Sequence, residues 1–401
     1  MLSTPRQPGH PTGTDAEDTD DRRAIVRMAA EFAASEIAPQ VAAYDRAEQI
    51  PRELLDKMGA LGFFGGVISE EDAGLGLDYV TFAELIEEVS KTCQILGTFV
   101  SMPSGLVGAS IEAFGTAEQK ERWLKPLAQG RIFGAAGVTE PGSGSDVAGM
   151  TTTYRKEGDD FVINGAKAWI SNLDVAEFFV TFASRDRSAR HGGVTAFIIP
   201  RDTPGLILSP YKDKLGFRPI CTGDVVFDEL RLPADALLGE EGGGFKVAMT
   251  AVERGRLGVA ARAVGVTQAC LEDTVAYAKE RAAFGRPIAE FQIVQSKVTD
   301  MAVGATTSRL LVRECAEALQ EGRRARQLTS MAKMYASDVA QKSATDAFQV
   351  FGAAGVSPEH RVGRMYRDAK VLQIVEGSND LHRALIGEIE LGLRADGERR
   401  A

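Results

Sequence analysis

The chain has 401 residues, 44% of them hydrophobic and 25% charged, with a formal net charge of -10. That length exceeds the reach of a single hydrophobic core and predicts two or three domains of ordinary soluble composition. The acidic balance argues against broad nucleic-acid binding, which wants a basic surface. Cys93, Cys221, Cys270 and Cys315 are scattered without a Cys-x-x-Cys pair or a nearby His, so neither a disulfide framework nor a metal site is expected.

Residues 1–20 are rich in Pro, Gly, Thr and Asp, lack the apolar run of a secretory signal and are too acidic for a transit peptide. They read as a disordered tail on a cytoplasmic protein. No apolar stretch approaches the roughly twenty residues of a membrane span. Residues 21–131 carry a helical period, with Ile25, Met28, Ala29 and Phe32 on one face of a first segment and Phe82, Leu85, Ile86 and Val89 on another. Breaks are expected at Gly74 to Leu77, just before Asp78, and at Met102-Pro103. Residues 132–240 change to short apolar runs such as Phe161 to Ile163, Phe178 to Phe182 and Val194 to Ile199, which predict an antiparallel β-barrel or sandwich. From 241 to 401 the helical period returns, for example at Val294, Val298, Met301 and Ala305, and predicts a helical bundle. The class is therefore α+β, in the order α, β, α.

The segment from Gly137 to Gly149, Gly-Val-Thr-Glu-Pro-Gly-Ser-Gly-Ser-Asp-Val-Ala-Gly, falls at the entry to the β region. Its glycines free the backbone to turn and to approach a ligand, Pro141 stiffens the bend, and Thr139, Ser143 and Ser145 offer hydroxyl donors. It is neither a P-loop nor a dinucleotide Gly-x-Gly-x-x-Gly, and by itself it also reads as a decorated surface turn. Other stretches carry comparable chemistry. Trp169-Ile170-Ser171-Asn172 follows Asn164-Gly165 and Lys167; Arg281 precedes Phe284-Gly285 and Gln292; Gln349 to Gly355 precedes Arg364 and Arg367-Asp368. Glu376 follows the apolar run Val371 to Val375 and precedes Gly377, a place where poor solvation favours the protonated carboxyl and raises its pKa toward that of a general base. A helix-capping or exposed Glu is the plain alternative at that position.

Together, and in this order, the five motifs resemble those of the acyl-CoA dehydrogenase family of flavoproteins from Asp21 to about Leu393. The resemblance implies an N-terminal helical domain, a middle β domain and a C-terminal four-helix bundle holding FAD. It assigns cofactor contacts to Val138, Thr139, Gly144 and Ser145, and to Trp169, Ile170 and Ser171. Further cofactor contacts fall to Arg281, Phe284, Gln292, Gln349, Gly352, Ala353, Ser378 and Asp380. Thr139 would meet the pyrimidine edge of the ring, Ser171 its hydride-accepting nitrogen, and Trp169 the ring face. Arg281, Phe284 and the stretch Gln349 to Ala353 would act from opposite sides of a subunit contact, implying a homodimer or homotetramer. Glu376 would remove the α-proton of an acyl thioester, while Ser145, Glu253, Arg256 and Gly377 would contact the substrate.

In some members the base stands directly before the arginine matching Arg256; this chain has Gly255 there. It also departs from the usual pattern in Gly352-Ala353, in Val375 where an aromatic residue is common, and in Ser378 where Thr is common. The reaction so implied is α,β-dehydrogenation of a short- or medium-chain acyl-CoA with electrons passed to an electron-transfer flavoprotein. An acyl-carrier thioester as substrate, or an oxygen-using oxidase or monooxygenase on the same fold, are the alternatives.

Overall fold

The computed structural model describes residues 15–394. The N-terminal region contains α1 (Asp15–Phe32), α2 (Val41–Ala47), α3 (Arg52–Ala60), α4 (Tyr79–Met102), α5 (Gly108–Phe114), α6 (Ala117–Gln119) and α7 (Lys125–Ala128). α1 begins at Asp15, so the last residues assigned to the tail are helical; residues 1–14 lie outside the described residues. Asp78 starts α4 as an N-cap, its carboxylate accepting the N–H groups of Val80 (2.9 Å) and Thr81 (3.0 Å). The expected break at Met102-Pro103 does not occur. Residues Pro103–Val107 continue as a π turn, which accommodates the missing proline N–H without ending the helix.

The resulting run, Tyr79–Phe114, is long and apolar enough to cross a membrane by length and composition, contrary to the sequence expectation. Its apolar window is 89% buried inside the protein, as befits a core helix.

The middle region is an eight-stranded sheet of β1 (Phe133–Gly137), β2 (Thr153–Glu157), β3 (Asp160–Ser171), β4 (Ala176–Ser184), β5 (Val194–Pro200), β6 (Leu206–Pro210), β7 (Thr222–Leu232) and β8 (Leu237–Leu238). Its order is β6-β7-β3-β2-β4-β5-β8, with β1 beside β4. The sheet is antiparallel apart from β1 and β2, which both meet β4 in parallel. Tyr154, Phe161 and Phe197 fill its core edge to face at 5.1–5.7 Å.

The C-terminal region comprises α8 (Gly244–Glu280), the short strands β9 (Ala282–Ala283) and β10 (Arg286–Pro287), α9 (Gln292–Gln320), α10 (Arg326–Phe351), α11 (Ala353–Val356), α12 (Val362–Leu372) and α13 (Asn379–Glu390). α10 buries Ala332, Ala336, Ala340, Ala344 and Ala347, a stripe of small side chains that lets it pack closely in the bundle. α8 meets α4 of the first region just as closely. A Cβ on Gly258 would lie 2.7 Å from Ser101 Cβ, and one on Gly265 would lie 2.6 Å from the Glu87 carbonyl. The two helical regions therefore share one apolar core, running from Ala29 to Leu372.

Candidate active site

The glycine-rich segment leaves β1 at Gly137 and is fixed by a residue that the sequence reading passed over. Glu140 is 2% exposed and accepts the N–H groups of Thr151 and Thr152, the Thr151 hydroxyl and the Lys167 ammonium, the last at 2.7 Å. Burial pushes this carboxyl up, but Lys167 and Thr151 outweigh it and hold the pKa at about 2. Lys167 comes from β3 and has no exposed surface, so a buried ion pair ties the loop to the strand. The Ala168 N–H adds a bond of 2.8 Å to the Thr139 carbonyl and sets Thr139 beside β3. Ser143 does not serve as a free donor, because its hydroxyl bonds the Asp146 carbonyl within the loop. Gly142 and Gly144 have open space where a side chain would stand, and Gly144 and Ser145 are exposed.

Trp169 stands where the register of β3 against β7 slips, between Lys167 and Ile170. Its φ of 62° is unusual for a bulky side chain and turns the indole outward, 64% exposed and edge-on to Tyr211 at 4.8 Å. Ser171, two residues on, is half-exposed on the same strand. Ile170 points the other way and is buried in the β core, so its side chain is no cofactor contact; the strand alternation that exposes its neighbours sends it inward. The Oδ1 of buried Asn172 has no hydrogen-bond partner among the described residues.

The loop that carries Glu376 joins α12 to α13. Glu376 and Gly377 both take left-handed backbone, at φ 56° and 96°. Such strain in a non-glycine residue persists only where the surroundings impose it, and here three side chains do so from below. Arg256 Nε donates to the Glu376 carbonyl at 3.4 Å, His382 Nε2 lies 3.2 Å from the same oxygen, and Lys333 Nζ donates to the Gly377 carbonyl at 2.6 Å. Burial holds His382 down at about 3, so the ring is neutral and its Nε2–H is the donor. Lys333 also bonds Asn379 Oδ1 at 2.8 Å, and burial lowers it to about 7.

The Glu376 carboxyl is pushed up to about 7 by burial, against the pull of Arg256, Arg262 and Lys333. No hydrogen bond among the described residues engages the Glu376 N–H. On α8 a Cβ at Gly255 would stand 2.9 Å from Glu376 Oε1, so the two positions at which the base is found in the resembling family converge on one point.

Arg256, expected at the substrate, is 6% exposed and donates to the Glu376 carbonyl and, at 3.2 Å, to Ser330 Oγ, so it holds the loop that carries Glu376. Glu253 is half-buried one turn earlier on α8. Ser378 acts as the N-cap of α13, accepting the Leu381 N–H at 3.3 Å, and Asp380 is exposed in the first turn of that helix.

Arg281, Phe284 and Gln292 lie on the exposed β9–β10 hairpin and its flanks. Phe284 and Gly285 form the tip, both with positive φ (51° and 82°), as a type I′ turn demands, and Phe284 is 97% exposed. Gln349, Gly352 and Ala353 are exposed at the end of α10, where Phe351 stacks on Tyr277 at 4.0 Å. The two segments expected on opposite sides of a subunit contact thus occupy the same end of one bundle.

Glu140, Lys333 and Arg262 were not singled out from the sequence, and Lys167 appeared there only as part of a motif, without its partner. A charged residue on an otherwise small-residue helix face, such as Arg262 between Gly258 and Gly265, is a signal that marks the helical ones; Glu140 in its loop carries no such local signal.

Acyl-CoA dehydrogenase family models match the chain in three parts: the N-terminal domain over residues 19–131, the middle domain over 135–230 and the C-terminal domain over 242–391. The short-chain specific acyl-CoA dehydrogenase of Mus musculus mitochondria is 40% identical over 356 residues, covering 89% of this chain and 86% of that protein. Butyryl-CoA dehydrogenase from Megasphaera elsdenii superposes with a TM-score of 0.90 at 37% identity, covering 93% of this chain and 98% of the other. A glutaryl-CoA dehydrogenase from Mycobacterium smegmatis in complex with FADH2 gives 0.89 at 29% identity, covering 94% and 97%. With all three domains matched in order and the convergence of Gly255 on Glu376 explained by the family's two base positions, the chain belongs to the acyl-CoA dehydrogenase family.

Proposed function

We propose that this protein removes the α-proton of a short acyl-CoA thioester with Glu376 and forms an α,β-unsaturated product. The observation that carries the reading is the strained Glu376-Gly377 turn, which presents a carboxylate of pKa about 7 beside its own unengaged N–H. A base near pH 7 balances the fraction ionised against proton affinity. The neighbouring N–H offers a hydrogen bond to the thioester oxygen as negative charge develops there. Arg256, Lys333 and His382 hold these two groups in place, so little reorganisation accompanies the reaction.

The residues fit FAD. An outward indole at Trp169, an open loop at Gly142 and Gly144, and the half-exposed Thr139 and Ser171 suit a flat ring with one polar edge, while Arg281 suits a diphosphate. FAD, when bound, supplies the acceptor for the β-hydride. Phe284, nearly fully exposed at its hairpin tip, supports a homo-oligomer in which a second subunit covers it. An electron-transfer flavoprotein is the proposed oxidant of the loaded enzyme.

The test is anaerobic mixing of the FAD-loaded protein with butyryl-CoA and longer acyl thioesters, on coenzyme A and on acyl carrier protein. Loss of the visible flavin absorbance with a coenzyme A thioester is expected; a flavin that stays yellow with every one of them would end this reading.

A further inference from the structure

Arg262 is a buried cation that the reaction above does not use. It stands on α8 seven residues beyond Gly255, two turns along the same helix face, and is 4% exposed. Its Nε donates to the Gly258 carbonyl at 3.3 Å, so the side chain folds back along α8 toward Glu376. The Nη1 donates to Thr98 Oγ1 on α4, and the guanidinium carbon lies 5.9 Å from the centre of the Phe217 ring. Among the described residues no carboxylate forms an ion pair with it. Glu376 is the one carboxylate among them that acts on it, Lys333 is a cationic neighbour, and burial brings the guanidinium down to about 10.

The imbalance extends to its surroundings. Three buried basic groups, Arg256, Arg262 and Lys333, bear on Glu376; Arg256 also feels Glu253 and Lys333 also feels Asp338, whereas Arg262 has no second carboxylate among the described residues. One turn before Thr98 on α4 stands Gln94, 4% exposed, whose amide oxygen and nitrogen both lack a partner among the described residues; Ser90 Oγ, beyond the non-helical kink at Cys93, also has none there. Burying a guanidinium costs several kcal/mol unless an anion compensates it, and each unpartnered amide atom adds to the cost. An apolar pocket end would be built from aliphatic side chains and would carry no such cost.

Resting on the reading of Glu376 as the base, we propose that Arg262, with Thr98 and Gln94, forms the far end of the acyl site and selects a short acyl thioester carrying a distal carboxylate. With the α-carbon at Glu376, an acyl chain laid along α8 from Gly255 toward Gly258 would end at the guanidinium. A carboxylate there accepts from Arg262 and, through its second oxygen, from the Gln94 amide, completing groups that are otherwise unsatisfied.

The experiment uses the FAD-loaded wild-type protein and compares succinyl-, glutaryl- and adipyl-CoA with isosteres in which an isopropyl group replaces the distal carboxylate. For at least one length, kcat/KM for the dicarboxylic thioester should exceed that for its isostere by tenfold or more. Arg262→Gln should abolish or invert that ratio. A wild-type enzyme that prefers the isostere at every length overturns the proposal, as does a ratio unchanged in the variant; if the variant does not fold, the wild-type ratio alone decides. Butyryl-CoA separates the two levels. If it bleaches the flavin while no dicarboxylic thioester does, the selectivity proposal fails and the base assignment stands; if no thioester bleaches it, both fall.

Discussion

Replacing Glu140 by Gln tests whether the buried ion pair organises the glycine-rich loop from Gly137 to Gly149. The substitution keeps the shape of the side chain but removes its charge, and it leaves the Lys167 ammonium buried without a counterion, both partners having no exposed side-chain surface in the native protein. Breaking one partner of such a pair costs about 3–5 kcal/mol, far more than the pair adds over an apolar replacement. Part of that cost falls on the bonds from Thr151 and Thr152 that close the loop. Hydrogen exchange over residues 137–152 should accelerate by about a hundredfold or more, since each 1.4 kcal/mol is a factor of ten, and FAD affinity should fall in parallel. Glu140→Gln combined with Lys167→Met removes the stranded charge and should recover much of the protection. An exchange rate within a few-fold of wild type in Glu140→Gln, or a double variant no better than the single one, would refute the assignment of the pair as the loop's anchor.

Other expectations follow from the same geometry. Gly255→Ala should divide stability from activity: alanine is about 1 kcal/mol better than glycine within a helix, yet its Cβ would press on the Glu376 carboxylate, which 2.9 Å does not accommodate. The thermal midpoint should hold or rise while kcat drops by about ten- to a hundredfold; equal kcat would show that the carboxylate tolerates the displacement. The kcat/KM profile for an acyl thioester should rise with pH through about 7, because the base must be ionised and burial has raised it to that value. A profile flat from pH 5.5 to 8.5 would contradict that. His382 has no exposed surface and is held neutral down to about pH 3, whereas an unfolded His takes up its proton near 6.5. Stability should therefore fall as pH drops below 6.5, by about 2 kcal/mol at pH 5, where the unfolded state alone binds the proton. His382→Asn should flatten this acid slope in thermal unfolding, and an unaltered slope would assign it elsewhere.

The order α, β, α and the positions of the main motifs were legible from the chain because glycine clusters, apolar periods and a carboxylate after an apolar run are local features. The break expected at Gly74 to Leu77 falls just before Asp78, which caps α4. What could not be read were effects of distance. The Glu140–Lys167 pair joins residues 27 apart through the entry of β1 into the sheet, and Lys333 reaches Gly377 across the bundle. A motif match gives a position and not the partners of a side chain, so the bonds of buried Arg256 to the Glu376 carbonyl and to Ser330 could not be read from it. Pro103 misled for a related reason, since a proline ends a helix only when no wider turn absorbs the lost donor, and here the surrounding core holds Pro103–Val107 in a π turn.

The central claim is that Glu376 is the base, and it is tested most directly by the rate at which butyryl-CoA bleaches the FAD-loaded Glu376→Gln protein under anaerobic conditions. Glutamine preserves the size of the side chain, so FAD should remain bound and its spectrum unchanged. The bleaching rate should fall by at least about 10²–10⁴, the usual worth of a positioned general base. Bleaching at the wild-type rate by a fully loaded Glu376→Gln protein would contradict the assignment.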